Sequence, residues 1–80
     1  MEDQRRPIYV IAQEIKNVWG NKVSDHARPY LNAMTNLTDR TSNYGLDDAV
    51  GIVLYFLSNA NSFRGDKARE LKAELKAHIQ

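Results

Sequence analysis

Ala49-Val50-Gly51-Ile52-Val53-Leu54-Tyr55-Phe56-Leu57 is the stretch whose reading decides the fold. It is apolar on every side, and a helix of that kind has to be covered by other elements. Its nine residues, at a rise of about 1.5 Å each, reach only about 14 Å, less than half the roughly 30 Å hydrocarbon core of a bilayer. The stretch therefore predicts the buried helix of a globular core and not a membrane span. Asp47 and Asp48 fall in its first turn, where acidic side chains suit the helix dipole, and residues 58–62 turn polar, which predicts an end near Asn61. Gly51 costs roughly 1 kcal/mol relative to Ala in a helix interior, and its place there predicts close approach of a neighbouring helix.

Three amphipathic helices are expected around this one. Upstream, Ile8, Ile11, Ala12, Ile15, Val18 and Trp19 recur at i, i+3, i+4 and i+7 spacing, which marks one helix face. Pro7 suits the first helical position and Gly20 the stop, so the helix is predicted over residues 7–19 with Tyr9 at its margin. A second helix begins at Ser24 or Asp25, either of which can cap it, and carries Pro29 in its first turn. Its buried stripe is Ala27, Tyr30, Leu31, Met34 and Leu37. Residues 36–45, rich in Thr, Asn, Ser and Asp, predict a loop, longer than most helix connections and so a mobile or binding segment. The last helix opens at Gly65 and Asp66, with a narrow seam of Ala68, Leu71, Leu75 and either His78 or Ile79. The predicted architecture is all-α: a compact bundle of four short helices around a central apolar helix. Residues 1–6 are expected to fray, leaving residues 7–80 as a single helical domain.

Composition narrows the functional classes. The chain has 80 residues, eleven Lys and Arg against ten Asp and Glu, a formal charge of +1 and no cysteine. That length gives one domain whose core is only just sufficient alone. Disulfides and thiolate ligands are excluded, and the near-neutral charge supplies no global field toward nucleic acid or anionic lipid. The N-terminus lacks the apolar core of a signal peptide, so a cytoplasmic protein with no membrane attachment is expected.

No constellation of residues predicts an enzyme. His26 and His78 lack partners at metal-ligand spacing. Ser24-Asp25-His26 are sequence neighbours that point in different directions on one turn, which excludes a catalytic relay. The acid pairs Asp47/Asp48 and Glu70/Glu74 read as helix-terminal and solvated charges. Gly45-Leu46-Asp47-Asp48 is similar to the Gly-x-Asp-Ser context of acyl carrier proteins, but Asp48 stands where the prosthetic-group serine would be. Catalytic residues, metal ligands and cofactors are all expected to be absent. The most chemically loaded corner is Asn59-Ala60-Asn61-Ser62-Phe63-Arg64-Gly65-Asp66-Lys67, where amides, a hydroxyl, an aromatic ring and two cations surround the start of the last helix, a natural anion site. Basic residues of that helix, among them Arg64, Lys67, Arg69, Lys72 and Lys76, also raise a nucleic-acid reading.

Ile11-Ala12-x-Glu14-Ile15 before Trp19, Pro29-Tyr30-Leu31-x-Ala33-Met34, Tyr44 before an Asp, Tyr55-Phe56-Leu57-x-Asn59-Ala60 and Phe63-Arg64-Gly65-x-x-Ala68-Arg69-x-x-Lys72-x-Glu74-Leu75 together resemble a group of small uncharacterised proteins of bacteriophages and prophages. The resemblance spans nearly the whole chain and brings no activity with it. It implies a phage-encoded accessory protein in the cytoplasm of a bacterial host, acting by occupying a surface on another macromolecule, with an inhibitor of a host defence system of the anti-CRISPR kind among the roles. The contact surface is then expected to join residues 38–45 with residues 59–67, using Tyr30, Tyr44, Asn59, Asn61, Phe63, Arg64 and Lys67, since aromatic and Arg side chains dominate interface energetics. Two alternatives are a small nucleic-acid-binding protein using the basic C-terminal helix and a self-associating structural component.

Overall fold

The computed structural model describes residues 5–79. The first helix, α1, runs Ile8–Trp19 directly after Pro7 and ends at Gly20, whose φ is 62°. Ile8, Ile11, Ala12, Ile15 and Trp19 are buried, while Val18 lies in solvent. The N–H groups of Ile8 and Tyr9, which have no partner within the helix, donate to the carbonyls of Thr38 and Leu37 at 2.9 and 2.8 Å. A short 3₁₀ turn (Gly20–Lys22) leads on. Ser24 then organises a turn of its own: its Oγ accepts from the Ala27 N–H at 3.2 Å and its carbonyl from the Arg28 N–H at 3.0 Å. That turn delays the second helix, α2, to Arg28–Met34, with Pro29 in its first turn as its missing N–H requires.

A hairpin lies within and just beyond the segment expected to be a loop. Strand β1 (Asn43–Tyr44) pairs antiparallel with β2 (Asp47–Asp48), Asn43 opposite Asp48 and Tyr44 opposite Asp47. Gly45 has φ of 65° and Leu46 is not in the left-handed region. A two-residue hairpin loop with Gly first and positive φ only there is a type II′ turn. The Ala49 N–H donates to the Ser42 carbonyl at 2.9 Å, carrying the pairing one step further. Asp47 is therefore a strand residue, and the third helix, α3, runs Ala49–Ser58 with Asp48 as its cap, Oδ1 accepting from the Gly51 N–H at 2.7 Å. The last helix, α4, runs Asp66–Ile79.

The protein is thus mostly helical, with four helices and this small two-stranded sheet among the described residues, and it is not purely α. Helix α1 packs on α2 and α4, and α3 packs on the same two, so the helices form a ring and α3 is one of its members, not a hub wrapped by three others. Trp19 joins the diagonal pair, its ring T-shaped to Phe56 at 6.2 Å and stacked on Phe63 at 4.9 Å. Ala49, Ile52, Val53 and Phe56 fill the core from α3, whereas Leu54 and Tyr55 are 51% and 60% exposed. The expectation that α3 is covered all round is corrected on that side, because a ring gives each helix two flanks of cover and an open back. The radius of gyration is 11.6 Å, against the roughly 12 Å expected of a compact chain this long.

Of the segment expected to fray, residues 1–4 lie outside the described residues. Arg6 bridges Glu14 of α1 and Glu74 of α4 at 2.7 and 2.6 Å, and its carbonyl accepts from the buried His78 Nε2 at 2.5 Å. Arg5 donates to the Ala77 carbonyl. No helix among the described residues is long and apolar enough to cross a membrane.

Candidate functional site

A groove lies where the open back of α3 meets the hairpin. Gly51, Leu54, Tyr55 and Ser58 recur at the i, i+3, i+4, i+7 spacing of one helix face, and on it Leu54 and Tyr55 are exposed. Next to this stripe, Tyr30, Leu46, Asp47, Asp48, Gly51, Ile52 and Tyr55 line a groove of 520 Å³. Tyr30 of α2 and Tyr55 of α3 form one wall, their rings stacked at 5.4 Å. Leu46, at the tip of the type II′ turn, forms the other and is fully exposed. Directly opposed residues on an antiparallel pair share a face, so Tyr44, opposite Asp47, stands on the hairpin face that carries Asp47 to the groove.

Both charged residues lining the groove are acidic. Asp48 is committed to the Gly51 N–H as the cap of α3. The Asp47 carboxylate has no hydrogen-bond or ion-pair partner among the described residues and is free to meet a ligand. Gly51 is explained here too: a Cβ built on it would sit 3.1 Å from Asp48 Oδ1. That side-chain oxygen is the one atom within 4 Å outside the helix's own backbone, so the expected approach of a neighbouring helix is not the reason for the glycine.

The residues singled out from the sequence separate into two groups. Tyr30 lines the groove and Tyr44 stands beside it, at the start of α3. Asn59, Asn61, Phe63, Arg64 and Lys67 lie past its other end, about 15 Å away along a ten-residue helix, so residues 38–45 and 59–67 do not meet in one surface. Asn59 ends α3, its side-chain amide donating to the Tyr55 carbonyl at 2.8 Å. Asn61 is exposed and its carbonyl accepts from Arg64 Nε at 3.1 Å. Phe63 is only 3% exposed, sandwiched against Trp19, and is a core residue and not an anchor for a partner. Lys67 turns away from Arg64 to pair with Glu14 of α1 at 2.6 Å. Leu46, Leu54, Tyr55 and Asp47 were not singled out; the signal for them was a Gly-Leu turn between short polar runs, which exposes the leucine by turn geometry.

Charges on the α1 side of α4 are interlocked. Lys67, then Arg6, holds the Glu14 carboxyl below its usual range, and Glu14 in turn raises the Lys67 ammonium. Hydrogen bonds that the Arg6 guanidinium donates to the Glu74 and Glu14 carboxylates raise it further above its already high value. Among the described residues no three of His, Cys, Asp and Glu are grouped to hold a metal ion. The chain matches no family model, no curated protein and no solved structure.

Proposed function

We propose that the protein is a non-enzymatic binding module whose groove receives a protein segment carrying an apolar side chain next to a Lys or Arg. The observation that supports this reading is the pairing of a fully exposed Leu46 with the Tyr30–Tyr55 stack across a groove whose charged lining residues are Asp47 and Asp48 alone. Aromatic walls supply contact area at low conformational cost, and a free carboxylate at the rim selects a basic neighbour. The groove holds two phenols and two adjacent carboxylates, one of them committed to capping α3, and no histidine, serine, threonine or cysteine side chain. On the resemblance in the sequence alone, the reading extends to a phage accessory protein that acts in the host cytoplasm against a defence component.

The test is capture of partners from bacterial lysate on immobilised protein, wild type against a Leu46→Asp, Tyr55→Ala double variant. A partner retained by the wild type and lost by a variant that still folds supports the reading. Equal capture by both, or no specific partner from defended and undefended hosts, ends it. A second copy of the chain in the groove would be seen as a dimer in solution mass and would replace the foreign partner.

A further inference from the structure

At the opposite end of α3 from the groove, the turn into α4 leaves a second hollow, of 270 Å³, lined by Phe63, Arg64, Gly65, Arg69 and Lys72. Three of its five lining residues are cationic and none is acidic. Arg64 donates through Nε to the Asn61 carbonyl at 3.1 Å, and Lys72 donates to the Ala60 carbonyl at 2.8 Å while lying over the Phe63 ring at 5.8 Å. Neither is paired with a carboxylate among the described residues, nor is Lys76, one turn further along α4. Arg69 pairs with Asp66 at 2.5 Å, both side chains largely in solvent, and an exposed pair of this kind adds little and opens readily to a competing anion. From Arg69 through Lys72 to Lys76 the cations follow one flank of the helix at i, i+3 and i+7, a row about 10 Å long.

We propose that this hollow, continued along α4 by Lys76, binds the phosphate backbone of a nucleic acid. The site is independent of the groove at the hairpin. Arg64, Lys72 and Lys76 crowd each other with no carboxylate paired to any of them: burial lowers the Lys72 ammonium below its usual value, and Lys76 and Arg64 push it the same way. Two guanidinium forks match phosphate oxygens bidentately, and a row of charges suits a polyanion better than a single ion. A protein segment is the poorer fit, because the hollow offers it no apolar anchor. The one ring there, Phe63, is buried beneath Lys72. For the same reason no base can stack, and binding is independent of sequence, carried by phosphate contacts that position and do not specify.

The experiment is anisotropy of a labelled 20-nucleotide single strand and a labelled 20-base-pair duplex of DNA with the intact chain. With Arg64, Lys72 and Lys76 each neutralising one phosphate, the log affinity is expected to fall with log salt at a slope of about −2.7 on duplex, a loss of about fortyfold between 50 and 200 mM. Arg64→Glu with Lys76→Glu, both exposed positions, is expected to weaken binding by more than about tenfold and to flatten the slope by about two, with the protein still folded and its melting temperature lowered by a few degrees through the lost Arg64–Asn61 bond and the reversed charge in the last turn of α4. Arg40→Glu with Asn36→Glu and Asn43→Glu, an equal change in net charge at exposed positions on the hairpin side of the molecule, is expected to leave affinity within about twofold. Equal loss in both variants would reduce the effect to net charge and overturn the site. Displacement of DNA by a poly-glutamate peptide at matched charge concentration would assign the hollow to an acidic protein segment instead, and displacement by millimolar inorganic phosphate alone would assign it to a free anion. No binding at 50 mM salt would also refute the proposal.

Discussion

Both faces of α3 carry large apolar side chains, and their fates are opposite. One side, Ala49, Ile52, Val53 and Phe56, fills the core; the other, Leu54 and Tyr55, stands in water beside a fully exposed Leu46. Burying a large side chain contributes about 1.5–3 kcal/mol, so the inner face is accounted for by stability. The outer face gains less of that kind from the fold, Tyr55 keeping only its stack on Tyr30. Substitutions on the inner face are expected to cost stability and, under the proposed function, those on the outer face to cost binding.

Phe56→Ala puts the inner half of that claim under the greatest load. Phe56 is fully buried at the centre of the ring, edge-on to Trp19, and such truncations cost about 3–5 kcal/mol. At about 4–8 °C per kcal/mol for a domain of this size, the melting temperature is expected to fall by about 12–40 °C in a thermal scan. A loss of only a few degrees would mean that the core does not depend on this ring and that the two faces are less different than they look.

The boundary between the faces is Asp48, which caps α3 and lines the groove. Asp48→Ala is expected to cost about 0.5–2 kcal/mol in chemical denaturation, the range for loss of an N-terminal cap. Gly51 sharpens the point through a double-mutant cycle. Gly to Ala in a helix gains up to about 1 kcal/mol, yet here the new Cβ meets Asp48 Oδ1 at 3.1 Å. The gain is expected to be small in the wild type and to recover in the Asp48→Ala background. An equal gain in both would mean that the cap does not dictate the glycine.

A smaller effect is expected from the ion pairs that tie α4 to α1. The Glu14 carboxyl, paired with Lys67 and Arg6, titrates below its usual range. A lowered native value stabilises above the unfolded-state value, about 4.3 for Glu, and that contribution is lost as the pH falls through the native one. Glu14→Gln is therefore expected to lower the melting temperature at pH 7 and to make no difference once both proteins are scanned well below pH 4. A gap that persists in acid would trace the loss to packing and not to charge.

How much of this was legible in the sequence follows from which forces set each part. The inward residues of α1, α2 and α4 follow from 3.6-residue periodicity, and all but Val18 and the half-buried Tyr30 and Ile79 are buried. Periodicity could not divide α3, where apolar residues fill every position; only the ring arrangement says which side is left bare. The hairpin was hidden for a local reason. Two-residue strands carry no alternation to read, and Asp47 and Asp48 after Gly45-Leu46 suit the start of a helix as well as they suit a strand. Arg6 was legible only as a charge, since its partners Glu14 and Glu74 lie 8 and 68 positions away. The candidate site was half seen: Tyr30 and Tyr44 belong to the groove region, while Phe63 and Lys67 were drawn from the sequence by chemistry that the fold uses internally.

The smallest expected change in stability carries the most about function. Leu46 touches solvent on all sides, so Leu46→Asp removes no packing, and a surface substitution away from caps and cores stays within about ±0.5 kcal/mol. The denaturation midpoint is expected to be unchanged. If the leucine were retained for the turn, a type II′ loop asks for glycine at its first position and tolerates polar residues at its second, so Asp would fold as well as Leu. A midpoint that nevertheless drops clearly would show that Leu46 folds back over the Tyr30–Tyr55 wall, closing the groove and making the outer face part of the core. An unchanged midpoint with a lost partner leaves binding as the property that an exposed leucine serves at that tip.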